Sequence, residues 1–175
     1  METFELLNFI RREKNSAYIM LKVIGLGNML RGDDGIGPVI IQNLEQSGKS
    51  LRIRPIDAGS DAFTILDHLL GTDPVLIIDC ARMGKMPGAV QKILSTDAEF
   101  LTTNIGMSLH GFSLAEVWQI AQSMGVENEL SVIGVEPNTL EFNSGLSEVV
   151  KKSIPVILQM VAEEAKKNAE KNSHN

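Results

Sequence analysis

Apolar residues along the chain fall into short unbroken runs that alternate with stretches of helical spacing. Met20–Gly25, Leu51–Ile56, Pro74–Ile78, Ala89–Leu94 and Glu129–Val135 read as five strands. Pro74–Ile78 is almost wholly apolar, as a central strand buried on both faces requires. Gly35–Ser47 reads as a helix that Gly48 can end. Asp61 is placed to cap a helix that turns Phe63, Leu66, Leu69 and Leu70 inward. Ser113–Met124 brings Leu114, Val117, Trp118 and Ala121 to one face. A long last helix follows Gly145, and Pro155 predicts a kink or break in it. Residues 96–111 show no period.

Phe4, Leu7 and Ile10 fit one face of a short helix within residues 1–19, which read as an extension ahead of the domain. Met20 is an alternative start. One domain is expected over 20–167 with a polar tail over 168–175, and fraying is expected after Ala165. The alternation of strands and helices predicts an α/β fold: a three-layer α/β/α sandwich around a five-stranded, mostly parallel twisted sheet. Ligands of such sheets bind beyond the carboxyl ends of the strands. Those ends repeatedly carry acids: Asp33 and Asp34 after the first strand, Asp57 after the second, Asp79 on the third and Glu136 on the fifth.

Composition narrows the function classes. With 43% hydrophobic and 22% charged residues, the chain has the make-up of an ordinary soluble domain. A net charge of −6 argues against general nucleic-acid binding. No apolar run is long enough to span a membrane. The single cysteine forms no internal disulfide and suits a reducing compartment; with no signal-peptide pattern at the N-terminus, the expected location is cytoplasmic.

The first strand leads into Gly25-Leu26-Gly27, a start on the dinucleotide-binding fingerprint, but the third glycine position is Leu30. Two carboxylates also stand where a pyrophosphate needs the positive helix end. One acid there is explained by the helix dipole; a doubled acid facing other strand-end acids is less so. Asp79 reads equally as a turn cap or as a ligand in the crevice. His68 reads as a surface or satisfied residue and His174 falls in the tail, whereas His110 lies between an irregular stretch and a helix, where sites are built. Cys80 has no local histidine and acidic neighbours, so it reads as a small buried hydrophobe. What is left, two or more carboxylates with one imidazole, suits a borderline divalent metal such as nickel or zinc, with positions open to a substrate.

Five segments in order, GLGNMLRGDDGIGP (Gly25–Pro38), IDAGS (Ile56–Ser60), LIIDCARMGKMPG (Leu76–Gly88), SLHGFSLAEVW (Ser108–Trp118) and VIGVEP (Val132–Pro137), resemble those of the maturation endopeptidases of nickel–iron hydrogenases. The resemblance covers roughly Met20 to Lys167. It implies an endopeptidase that removes the C-terminal peptide of a hydrogenase large-subunit precursor, with nickel already inserted in that precursor as the recognition signal. It also implies Asp34, Asp79 and His110 as metal-binding residues, Asp34 and Asp79 having the catalytic role. Asp33, Asp57 or a metal-bound carboxylate remain open as the group that activates water. A nickel-sensing binding module without peptidase activity would use the same three ligands. One turn departs from the family, and the appended residues 1–19 are also unusual for it. Asp57-Ala58-Gly59 stands where Asp-Gly-Gly is frequent, and Ala58 makes a positive φ less comfortable. The residue at 34 is a glutamate in some relatives.

Overall fold

The first apolar run folds as β1 (Leu21–Leu26), with all six residues buried. In the computed structural model, which describes residues 20–47, 52–97, 100, 112–127 and 129–173, a 3-10 turn (Gly32–Gly35) and α1 (Ile36–Gln46) come next. Then follow β2 (Ile53–Gly59), α2 (Ala62–Leu69), β3 (Val75–Cys80), β4 (Val90–Leu94), α3 (Leu114–Ser123), β5 (Leu130–Val135), α4 (Glu148–Lys151) and α5 (Ile154–Ser173).

The strands form one five-stranded sheet in the order β2-β1-β3-β5-β4. It is parallel except for β4, which runs antiparallel to β5 at one edge. The expected α/β fold with a mostly parallel sheet is what forms. Pro55 is accommodated because β2 is the other edge strand. Alternation along β1 and β3 divides the core between two faces. Ile24, Leu26, Val75 and Ile77 pack with Ile65 and Leu69 of α2 and with Val117 and Trp118 of α3. Val23, Leu76, Ile78 and Cys80 pack with Ile40 and Ile41 of α1 and with Ile157 and Val161 of α5. Each fully buried aliphatic side chain in these layers contributes on the order of 2 kcal/mol of transfer free energy.

The helix ends follow from local chemistry. Asp61 caps α2 by accepting from the Thr64 amide at 2.9 Å. Ser113 and Glu116 close a reciprocal capping box at the start of α3, and the four residues expected on its inner face are the four it buries. Pro155 falls in the first turn of α5, just after the break from α4, where a missing N–H costs nothing.

One expectation is corrected. Phe63 does not face inward: it is 71% exposed, because α2 buries the stripe Ala62, Ile65 and Leu69, and Phe63 lies off that stripe. α5 takes in most of the expected polar tail, running to Ser173. The helix expected within residues 1–19 and the cap at Gly48 lie outside the described residues. Among the described residues no helix is long and apolar enough to cross a membrane.

Candidate functional site

From β1 the chain connects to β2 on one side, while β3 lies on the other. The crevice at the carboxyl ends of β1 and β3 is therefore the topological switch point, where parallel sheets place their ligands. Asp34 enters this crevice from the 3-10 turn after β1, and Asp79 from the end of β3. Both are buried, Asp79 completely.

The glycines of the first loop explain how Asp34 gets there. A Cβ on Gly27 (φ 121°) would lie 1.8 Å from the Asp34 carbonyl oxygen. A Cβ on Gly37 would lie 2.1 Å from the Leu26 oxygen and 2.8 Å from the Ile78 oxygen. The start of α1 is thus pressed directly onto β1 and β3, backbone against backbone, which only glycine permits. These glycines serve the close packing of the turn on the sheet. The Asn28 amide donates to Asp34 Oδ2 at 2.9 Å, and Asn28 Oδ1 accepts from the Leu30 amide at 2.9 Å, fixing the loop around the carboxylate.

Asp33, its neighbour, does a different job. Its Oδ2 accepts from the Asn138 amide (2.8 Å), the Thr139 amide (2.9 Å) and the Ser147 hydroxyl (2.9 Å), and its Oδ1 accepts from the Ser147 amide (2.6 Å). Its own amide donates to the Thr139 carbonyl at 2.9 Å. Four donors engage this buried carboxylate, so Asp33 clamps the 138–147 loop.

Glu136 acts in the same way on the other side. It is buried, and its Oε2 accepts from the Met83 amide (2.7 Å) and the Lys85 amide (3.0 Å). Its backbone exchanges bonds with Gly88 and Ala89. Ser153 completes this anchor by donating from its hydroxyl to the Gly88 carbonyl at 2.7 Å. Sequence reasoning counted Glu136 among the strand-end acids but missed this loop-holding role. The only local signal is the Gly84–Gly88 turn, which needs its amides satisfied by something. Asp57 is exposed and accepts from the Gly59 amide at 3.1 Å in a local turn. The left-handed residue of that turn is Gly59 (φ 56°), not Ala58, so the Cβ of Ala58 meets no backbone penalty here.

Cys80 reports on how closely the acids gather. Its thiol is held far above the usual thiol range, first by burial and then by the negative charges of Asp79, Asp34, Asp33 and Glu136. A protonated, fully buried thiol is a packing residue, as its sequence context suggests.

His110 lies outside the described residues. Phe112, two residues further on, stands at the carboxyl end of the sheet, its ring edge-on to Phe63 with centroids 6.4 Å apart. Among the described residues no group of three His, Cys, Asp or Glu side chains is assembled to hold a metal ion. The structure thus brings Asp34 and Asp79 to one crevice, holds Asp33 in a clamp and leaves Asp57 exposed near the end of β2.

A family model described as HycI, hydrogenase maturation protease, matches residues 38–164, which include Asp79 and His110 and begin just after Asp34. The chain is 30% identical over 146 residues to the hydrogenase 2 maturation protease of Escherichia coli, covering 79% of this chain and 86% of that protein. It is 26% identical over 144 residues to the hydrogenase expression/formation protein HupD of Thiocapsa roseopersicina; the match takes in 81% of this chain but only 65% of HupD. Its fold is similar to the hydrogenase maturating endopeptidase HybD from E. coli, with a TM-score of 0.71, 25% identity, and coverage of 85% of this chain and 93% of that one. The NiFe hydrogenase maturation protease HycI from Thermococcus kodakarensis shares the fold at a TM-score of 0.67 and 19% identity, covering 90% of this chain and 99% of that one.

Proposed function

The chain belongs to the hydrogenase maturation protease family, and from that premise we propose that it is a cytoplasmic peptide hydrolase. It removes the C-terminal peptide of a nickel–iron hydrogenase large-subunit precursor after nickel has been inserted. The observation that carries this reading is the pair of buried carboxylates, Asp34 and Asp79, meeting at the switch-point crevice while neighbouring acids are consumed in loop anchors.

In this reading Asp34, Asp79 and His110 hold nickel that arrives with the precursor. Two carboxylate oxygens and one imidazole make a modest nickel site, because nickel favours more nitrogen or sulfur. Cysteines of the precursor supply the softer ligands. Binding energy then comes from an ion shared between two proteins, and it fixes the scissile peptide beside the crevice. With Asp33 saturated and Asp57 exposed in its local turn, a carboxylate of the crevice, Asp34 or Asp79, accepts the proton of the attacking water.

The test compares two precursors. Enzyme stripped of metal is expected to shorten nickel-loaded precursor, seen as a mass loss. Enzyme soaked in nickel and desalted is expected to leave nickel-free precursor intact. Efficient cutting of nickel-free precursor overturns the shared-ion mechanism. Tight binding of loaded precursor without any mass loss overturns the hydrolase reading in favour of a nickel-sensing module.

A further inference from the structure

The loops at the carboxyl end expose large apolar side chains in an unusual concentration. Met29 and Leu30 follow β1, Phe63 follows β2, Met86 follows β3 and Phe142 follows β5, while Phe112 enters α3 beside Phe63. Three of them, Met86 (82% exposed), Phe63 (71%) and Phe142 (68%), are exposed more than the other large apolar residues of the described surface. Single exposed apolar residues need no explanation, but a set gathered around one crevice marks an interaction surface.

The loops that present these residues are held from beneath. Asp33 takes both the Asn138 and Thr139 amides and the Ser147 amide, so the loop carrying Phe142 is pinned at its two ends. The Asn143 amide donates to the Leu30 carbonyl at 2.8 Å, which sets Phe142 beside the Met29–Leu30 turn. Glu136 holds the Met83 and Lys85 amides directly before Met86. The buried acids that take no part in the chemistry therefore fix the positions of exposed hydrophobes, and a rim fixed in advance loses little entropy when a partner lands on it.

We infer that Met29, Leu30, Phe63, Met86, Phe112 and Phe142 form a preformed docking rim for the precursor, seating an apolar surface of that protein around its metal centre. The inference rests on the function proposed above and names the surface that recognises the substrate. Charge complementarity selects this occupant: the floor inside the rim is acidic and suits a cation, while the rim itself suits apolar side chains. A partner presenting both together, a metal ion ringed by hydrophobic residues, matches the crevice and its border at once.

The test separates binding from cutting. The affinity of the full chain for nickel-loaded precursor is measured beside the KM and kcat of cleavage. Variants are Met86→Ser with Phe142→Ser, and Phe63→Ser; all three positions are exposed, so the fold is expected to survive and thermal unfolding verifies it. Met124→Ser, equally apolar but beyond the far end of α3, is the control. The double variant is expected to weaken binding and raise KM by about tenfold or more, with kcat falling less, while the control matches wild type. Rim variants that bind precursor as tightly as wild type overturn the docking inference and leave the proposed hydrolysis standing. A wild-type protein that binds precursor but never cuts it overturns the hydrolysis, and the rim is still judged on affinity. A wild-type protein that does neither overturns both.

Discussion

At the amino end of the sheet a cavity of about 450 Å³ opens beside Leu21, Val75 and the flank of α5, lined by Lys92, Glu164, Asp97 and Glu129. At the carboxyl end, Asp33, Asp34, Asp79 and Glu136 gather around the Cys80 thiol. The charges of the amino-end cavity are spent locally. Lys92 pairs with Glu164 at 2.6 Å, Asp97 accepts from the Leu94 amide at 2.8 Å, and Glu129 accepts from the Thr96 hydroxyl at 3.2 Å. Opposite charges are balanced there, three lysines against three acids. The carboxyl end instead concentrates one sign of charge in buried positions, which costs free energy unless something is gained by it. The chemistry of the lining groups and the reversal of strand order select the crevice.

The largest expected effect breaks this contrast at its centre. Asp79→Asn keeps size and burial but removes the charge from the crevice floor. Processing of nickel-loaded precursor is expected to fall by at least about a hundredfold, with the melting temperature within about 4 °C of wild type. Wild-type processing by the variant would reduce Asp79 to a strand cap.

The neighbouring acids Asp33 and Asp34 sharpen the comparison, because Asp33 accepts from Asn138, Thr139 and Ser147 whereas Asp34 accepts from the Asn28 amide. Asp33→Ala strips acceptors from three backbone amides and a hydroxyl, and is expected to cost about 3 kcal/mol or more in urea unfolding. Asp34→Asn retains an oxygen for the Asn28 amide, so stability is expected to change by about 1 kcal/mol or less while processing collapses. If Asp34→Asn unfolds the protein and Asp33→Ala spares it, the division of labour between them is the reverse of the one assigned here.

That division was not legible in the sequence. Asp33 and Asp34 are identical residues side by side, and what separates them is contact with Asn138, Thr139 and Ser147, more than a hundred positions away. Phe63 was misjudged for a related reason: in an eight-residue helix the inner face is set by which neighbours pack on it, and α3 takes Ile65 and Leu69. The strands were legible because β1, β3 and β5 are buried along their whole length and so must be apolar. The start of α3 was legible because Ser113 and Glu116 satisfy each other's backbone amides locally. Local rules were readable, and long-range hydrogen bonding was not.

A smaller effect is expected at the loop anchor beneath Met86. Glu136→Gln keeps one oxygen to share between the Met83 and Lys85 amides, and is expected to cost about 1 kcal/mol. The amides of Met83 and Lys85 should then exchange hydrogen faster while those of β3 do not. Unchanged exchange at both amides would mean that the loop is held by Gly88 and Ser153 alone.

The smallest effect on function is expected at the other end. Lys92→Met breaks the ion pair with Glu164, whose partners are 29% and 16% exposed, and leaves the Glu164 carboxylate half-shielded beside α5. For a pair this close to solvent the cost is expected to be about 1 kcal/mol, and part of it is recovered because the methionine stem still packs where the lysine stem did. Cleavage of nickel-loaded precursor should stay within about twofold of wild type, since additive behaviour is the rule for sites this far apart. The same variant in an Asp79→Asn background should add nothing to the loss already present. A tenfold fall in KM-limited cleavage by Lys92→Met alone, with the fold intact, would tie the amino-end cavity to the substrate. The two ends of the sheet would then be parts of one site, and the contrast between them would have to be abandoned.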